Sequence, residues 1–313
     1  MNARNHHYLP QCYLKRFTKG CSKKSKLVVY DIHERKVFET IPRNVGSARD
    51  FNRVDFKGLD PNSIENAMAV FENKVDNAIK EVEETKRFQG DSKNTLLSFL
   101  SLVNVRSPKM REHWRKNQEK VFKKIFDLSL ETEDRWSSIT NNMQSHGYDT
   151  RSGFDYLTMK ELHESGCCEF DVTREHQLHR EFISLEVIFN SLLERSWMLL
   201  EASEQSGPFI TTDNPVVLSW ITPNHVPSIY QNSPGHGLSE TRVYFPLSKK
   251  LALIGEFGSL CDYMIAPDQL VASLNHVELF YLDRQLYVPK RQFYILDHVG
   301  KRIDGGSCMR KQW

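Results

Sequence analysis

The sequence predicts an α+β protein with an N-terminal β-hairpin, a central bundle of long helices, and a β-rich C-terminal third with one or two helices. Three observations predict it. Two short runs dominated by Val, Ile, Phe and Tyr, LVVYDI and KVFETI, lie within residues 26–42. Apolar residues then recur at helical steps through most of residues 59–205. After Gly207-Pro208 the texture changes to short β-like runs separated by Pro and Gly. Because strands and helices do not alternate, a regular βαβ fold is disfavoured.

The elements follow in order. Residues 44–56 read as irregular or extended chain. Asp60 caps a helix with Pro61 at its first position, and Ile64, Met68, Phe71, Val75, Ala78, Ile79 and Val82 form its apolar stripe. Residues 93–105 are apolar nearly all round and predict a buried helix. Ser107-Pro108 opens a basic helix to about residue 128, and a weaker helix covers 133–144. The longest helix is expected over 173–201, with Leu178, Phe182, Leu185, Ile188, Phe189, Leu192 and Leu199 facing inward. Strands are expected at 209–212, 216–220, 242–247 and 251–255, a helix at 267–281, and strands near Leu286 and Phe293. The chain reads as one compact domain, 1–313, with sub-regions 1–58, 59–205 and 206–313.

Net charge is only +2, so the molecule is not a polycation built to coat nucleic acid. The charge is uneven, however. Residues 1–60 hold 13 Lys/Arg against 6 Asp/Glu, and residues 106–126 hold 8 against 2. Such patches attract phosphates or acidic partners, or they are solvated lysine-rich faces. The six cysteines form no CxxC, and with no apolar leader at the start they predict reduced thiols in a cytoplasmic protein. No apolar run reaches membrane-spanning length, so no membrane partner is expected.

Standard signatures are absent. There is no GxGxxG, GxxxxGK[ST], HExxH or GxSxG. His176 and His179 have a spacing that can share a metal, but no third ligand is evident. His163 with Cys167 and Cys168 makes a weaker metal set.

Four segments carry candidate chemistry. HHYLPQCYLKRF packs His6, His7 and Tyr8 ahead of an apolar stripe, Leu9, Tyr13 and Phe17, at one-turn steps. That stripe would dock the segment and hold the histidines in place as general bases or metal ligands; a hydrogen-bonded structural pair or a mobile tail is the plainer alternative. Thr212-Asp213-Asn214-Pro215 forms either a side-chain-capped turn or a polar edge for an ion or ribose. Glu72 borders the apolar stripe of its helix, and Arg106 ends the buried one. An Arg there pairs with Glu72 or clamps a phosphate.

Together, HHYLPQCYLKRF, FENKV, LLSFLSLVNVRSP, FITTDNPVV and YFPLS resemble the bacterial family catalogued as domain of unknown function 4238, over roughly residues 5–290. The resemblance implies recurrent polar positions at His6, His7, Pro10, Glu72, Arg106, Thr212, Asp213, Asn214, Pro215 and Asn275. Its members resemble accessory proteins of mobile elements and defence loci, which implies a toxin-like or antiviral effector.

The reading that unites these residues is a nucleic-acid-directed hydrolase of nuclease type. His6, His7, Glu72 and Asp213 would be catalytic, with a divalent magnesium or manganese ion on Asp213 and Glu72. Tyr8, Arg106, Thr212, Asn214 and Asn275 would bind substrate. RNA or DNA would lie on the basic helix at 107–126, and a protein encoded at the same locus is a further expected partner. The alternative is a non-catalytic binding or sensor module for a nucleotide, peptide or phage protein.

Overall fold

The computed structural model describes residues 5–53, 60, 63–150, 155–166 and 168–311. Pro61, Gly153 and Cys167, each used in the sequence reading, lie outside them. The chain forms two compact units, one of residues 1–110 with 180–313 and one of residues 111–179. These boundaries are not those drawn from the sequence at 58 and 205, because α+β packing joins the first two long helices to the C-terminal strands.

In the first unit, strand β1 (Asn5–His7) leads into a short helix α1 (Gln11–Leu14) and a 3₁₀ turn, Lys15–Phe17. The Leu9, Tyr13 and Phe17 stripe is buried in the main core, at 1%, 0% and 0% exposure, so the opening segment is docked and no mobile tail. Tyr13 also bonds across the fold, to Thr211 Oγ1 at 2.7 Å and to the Pro246 carbonyl at 2.8 Å. Strands β2 (Leu27–Asp31) and β3 (Lys36–Thr40) form the expected hairpin, and β4 (Ser47–Arg49) pairs back on β1. Helix α2 (Ser63–Thr85) buries Val75, Ala78, Ile79 and Val82, and α3 (Gly90–Val105) is buried nearly all round, as their patterns predict. Arg16 fixes the opening segment to α2 through Asp76 at 2.6 Å and Glu83 at 2.5 Å.

The second unit holds most of α4 (Pro108–Ser129), all of α5 (Glu133–Ser145) and α6 (Tyr156–Glu164), and the start of α7 (Arg174–Leu193). Thr132 caps α5 by accepting the Arg135 N–H, and Asp155 caps α6 through Thr158. The expected helix over 173–201 is shorter than predicted. It stops at Leu193, and Ser196–Ala202 is strand β5, whose Trp197, Met198, Leu199 and Leu200 are all buried. A continuous apolar run fits a buried strand as well as a helix, and sheet pairing decides between them. Phe182, expected to face inward, is 55% exposed.

The C-terminal part returns to the first unit with β6 (Thr211–Thr212), β7 (Val217–Trp220), β8 (Thr241–Pro246), β9 (Leu251–Glu256), β10 (Tyr263–Ala266), helix α8 (Asp268–Tyr281), β11 (Gln285–Val288), β12 (Tyr294–Leu296), β13 (Arg302–Asp304) and α9 (Gly305–Lys311). Two sheets dominate, with strand orders β10-β5-β9-β8-β7 and β3-β2-β11-β6. The second joins the N-terminal hairpin to the C-terminal third: β11 lies between β2 and β6, antiparallel to both. The architecture is α+β, with a helical middle and a β-rich C-terminus. Among the described residues no helix is long and apolar enough to cross a membrane.

Candidate functional site

The site begins with the strand alternation of β1. Its register sets His6 opposite Ala48 and His7 opposite Ser47. Successive side chains point to opposite faces, so His6 is sealed inside while His7 stays half-exposed. Gly46 holds the bend that follows: its carbonyl accepts the Tyr8 and Leu9 N–H groups at 2.9 and 3.1 Å. Its φ is +65°, and a Cβ there would come within 2.9 Å of Leu14, so glycine is required at this point.

A hydrogen-bonded floor lies beneath. His6 Nδ1 accepts the Asn52 backbone N–H at 2.9 Å, which makes that nitrogen the unprotonated one. The Asn52 side chain accepts from Arg106 Nη2 at 2.5 Å and donates to Glu65 at 2.7 Å. His6, Asn52 and Arg106 are all buried. Arg106 is therefore not the direct partner of Glu72. It bonds Asn52 and acts on Glu72 only through space.

Above the floor stand His7, Glu65 and Glu72, all half-buried, and outside them the exposed cations Lys23 and Arg43. Burial raises the Glu72 carboxyl to about 7; Glu65 adds to the shift, while Lys23 and Arg106 oppose it. Burial lowers His7; the Glu65 charge and a hydrogen bond with the Arg43 main chain oppose the shift, while the Lys23 and Arg43 charges add to it. His7 and Glu72 thus share two electrostatic neighbours, Lys23 and Glu65. The His7 Nε2 atom is buried with no hydrogen-bond partner among the described residues. A largely neutral imidazole and a carboxyl lifted to about 7 thus lie within electrostatic reach of the same Lys23 and Glu65.

A sequence match now settles the relationship. The family described as protein of unknown function (DUF4238) matches residues 5–287. The chain belongs to that family. No curated protein and no solved structure matches it.

The candidate residues of the opening segment and the two helices lie at this floor and rim, but those of the TTDNP turn do other work. Asp213 is buried, and its carboxylate accepts three backbone N–H groups, from Asp283 at 3.0 Å, Arg284 at 2.8 Å and Gln285 at 3.0 Å. Burial pushes this carboxyl up, against those three bonds. Thr212 donates its N–H and hydroxyl to Glu278 at 3.1 and 3.0 Å. Asn214 bonds the Tyr281 carbonyl at 3.2 Å. Asn275, fully buried, accepts the Ile210 N–H at 3.1 Å and donates to the Pro208 and Tyr294 carbonyls at 3.0 Å each. These four side chains clip α8 and its following loop to β6. The turn takes the capping role that short polar side chains favour.

Tyr8 links the two regions. Its ring lies 5.7 Å from Phe51, and its hydroxyl interacts electrostatically with that of Tyr287, which donates to Gln285 Oε1 at 3.0 Å. Burial raises the Tyr8 phenol, and the Asp213 charge adds to the shift.

Among the described residues no group of three or more His, Cys, Asp or Glu side chains is placed to hold a metal. Both Asp213 oxygens are already taken by the 283–285 loop. His163 lies 3.1 Å from Asp127, and His176 rests its ring 6.1 Å from Phe122. On the basic helix, Arg115 is held by Glu112 and Glu119, and Lys116 lies 3.3 Å from Glu112, so part of its charge is neutralised internally.

Sequence reasoning missed Asn52, Glu65 and Lys23 at the site and Glu278 at the clip. Each is a single polar residue with no motif around it. Glu278 alone carries a retrospective signal, a lone carboxyl on the apolar face of a helix, one turn beyond Asn275. It is fully buried, its Oε2 has no partner among the described residues, and burial raises its carboxyl far above the ordinary range.

Proposed function

We propose that the His7–Glu72 site cleaves RNA by general acid–base chemistry. The observation that carries this reading is the opposed tuning of two groups that share Lys23 and Glu65 as electrostatic neighbours, His7 pushed toward its neutral form with Nε2 unpartnered among the described residues and Glu72 lifted to about 7. Groups whose environments push their pKa values apart divide into base and acid.

The base is neutral His7, whose Nε2 takes the proton from an RNA 2′-hydroxyl. The 2′-oxygen attacks phosphorus, the bond from phosphorus to the 5′-oxygen breaks, and protonated Glu72 gives its proton to that leaving oxygen. The products are a 2′,3′-cyclic phosphate and a 5′-hydroxyl. Lys23 at the rim attracts the phosphate and offsets charge on the transition state, while Arg106 and Asn52 hold the floor rigid. An internal nucleophile spares the site a metal-activated water. In the bacterial cytoplasm, a protein with this activity would serve as a toxin or phage-defence effector.

A second reading, a binding or sensor module, is favoured by the fully bonded floor of His6, Asn52, Arg106 and Glu65. One experiment separates the two. Purified protein is incubated with single-stranded RNA and with DNA of the same sequence, with and without a chelator. The expected result is RNA cleavage that survives chelation, with DNA intact. Glu72→Gln should lower the rate by roughly 10²–10³-fold, the usual worth of a positioned acid. RNA that binds but stays intact, or cleavage undiminished in both His7→Ala and Glu72→Gln, sinks the catalytic reading.

A further inference from the structure

A second feature lies apart from this site, in a cleft of about 1270 Å³ between the ends of the two main sheets. That exceeds the ~300–1,000 Å³ of common small-ligand pockets. Four segments supply cations to it. The register Val28↔Val288 sets Lys26 and Lys290, each two residues beyond the pair, at the same end of the four-stranded sheet. The Lys19 N–H bonds the Lys26 carbonyl at 3.1 Å, which brings Lys19 alongside. Lys249 reaches in from the β8–β9 turn, its Nζ fixed by the Thr18 and Lys19 carbonyls at 3.0 and 2.7 Å, with Lys250 beside it.

These five lysines form no ion pair among the described residues. Three glutamates share the cleft, Glu39, Glu201 and Glu204, against these five lysines and Arg291, so cations remain in excess even though Lys250 acts on Glu201. Glu201 is held by Lys86 at 2.7 Å and by the Tyr263 hydroxyl, and Glu39 lies 4.0 Å from Arg291. Holding a lysine by neutral carbonyls leaves its charge uncompensated, and like charges gathered without counter-charge repel one another. Beside them is an apolar wall of Ile265, which is 62% exposed, with Pro208 and Pro289.

We infer that this cleft binds a nucleoside polyphosphate, with its phosphates on the lysine cluster and its base on the Ile265 wall. The cations converge at one end of a sheet, which suits a compact polyphosphate better than an extended strand. Nothing in the inference depends on the acid–base reading of the His7–Glu72 site.

The test is calorimetric titration of the full chain with ATP, with inorganic pyrophosphate and with a short single-stranded DNA. ATP is expected to bind most tightly, followed by pyrophosphate. Lys26→Glu/Lys290→Glu, at two exposed positions, should weaken ATP by ~10-fold or more, since two phosphate contacts become repulsions. Lys74→Glu/Arg87→Glu, which changes net charge equally on exposed sites elsewhere, should leave ATP binding within about 2-fold. Ile265→Ala should weaken ATP and not pyrophosphate. Absence of ATP binding, equal loss in both charge-reversal variants, or DNA binding without ATP binding would each overturn the inference.

Discussion

The opening segment and the TTDNP clip are both polar, both largely buried and both conspicuous in the sequence, yet they spend their polar atoms differently. At the clip, Asp213 and Asn275 bond backbone groups that would otherwise be buried unpaired. At the opening, Asn52 joins His6 and Arg106, while His7 Nε2 has no partner among the described residues and burial raises Glu72 to about 7. Satisfied groups hold a fold together; unsatisfied, perturbed ones mark a place where chemistry can happen. Burial alone does not separate the two cases, but the destination of each hydrogen bond does.

The largest test of this contrast is Asp213→Ala. Three partly buried N–H groups lose their charged acceptor at once, so unfolding free energy should fall by ~4 kcal/mol in denaturant titration. A loss under about 1 kcal/mol would mean that the clip is not structural. Asn275→Ala removes three buried bonds to main chain in the same way and should cost ~3 kcal/mol by the same measurement.

Glu72→Gln should do the opposite. Its stability at neutral pH should match or exceed the parent, while any cleavage falls as stated above. The pH dependence sharpens this. Because the folded carboxyl titrates at about 7, above its ordinary value, its contribution is fully present below the unfolded pKa and is lost as pH rises through 7. The parent should lose ~2 kcal/mol of stability between about pH 5 and pH 8, a figure already reduced for partial exposure, and Glu72→Gln should lack that component. Thermal unfolding of both proteins across that range decides it; parallel curves would show that Glu72 is not perturbed. The smallest effect is expected for Tyr8→Phe, which removes one hydroxyl interaction between the two regions and should cost ~1 kcal/mol.

Much of the fold was legible because it is written in periodicity. The Leu9, Tyr13 and Phe17 stripe, the buried face of α2 and the wholly apolar α3 follow directly from residue spacing. The failures came where spacing is silent. Strand β1 is three residues long and contains two histidines, so no β-pattern announces it. Strand β5 is an apolar run that fits either period. Residues His6, His7, Glu72 and Arg106 were legible as candidates, since their residue types are chemically capable and their positions unusual. Asp213 was equally visible, and there the carboxylate accepts backbone N–H groups of the 283–285 loop, a partner its own turn does not announce.

By itself, the sequence determined the α+β class, the docking of the opening segment and which side chains are chemically capable candidates. These depend on local spacing and on what each side chain is. Only the tertiary structure decided which of them would be used up. Asn52 reaches His6 across 46 positions and Arg106 across 54, and Asp213 reaches its loop across some 70. A hydrogen bond needs its partners within about 3 Å, and partners so far apart along the chain meet only once helices and sheets have packed. The same packing sets the desolvation that lowers His7 and raises Glu72.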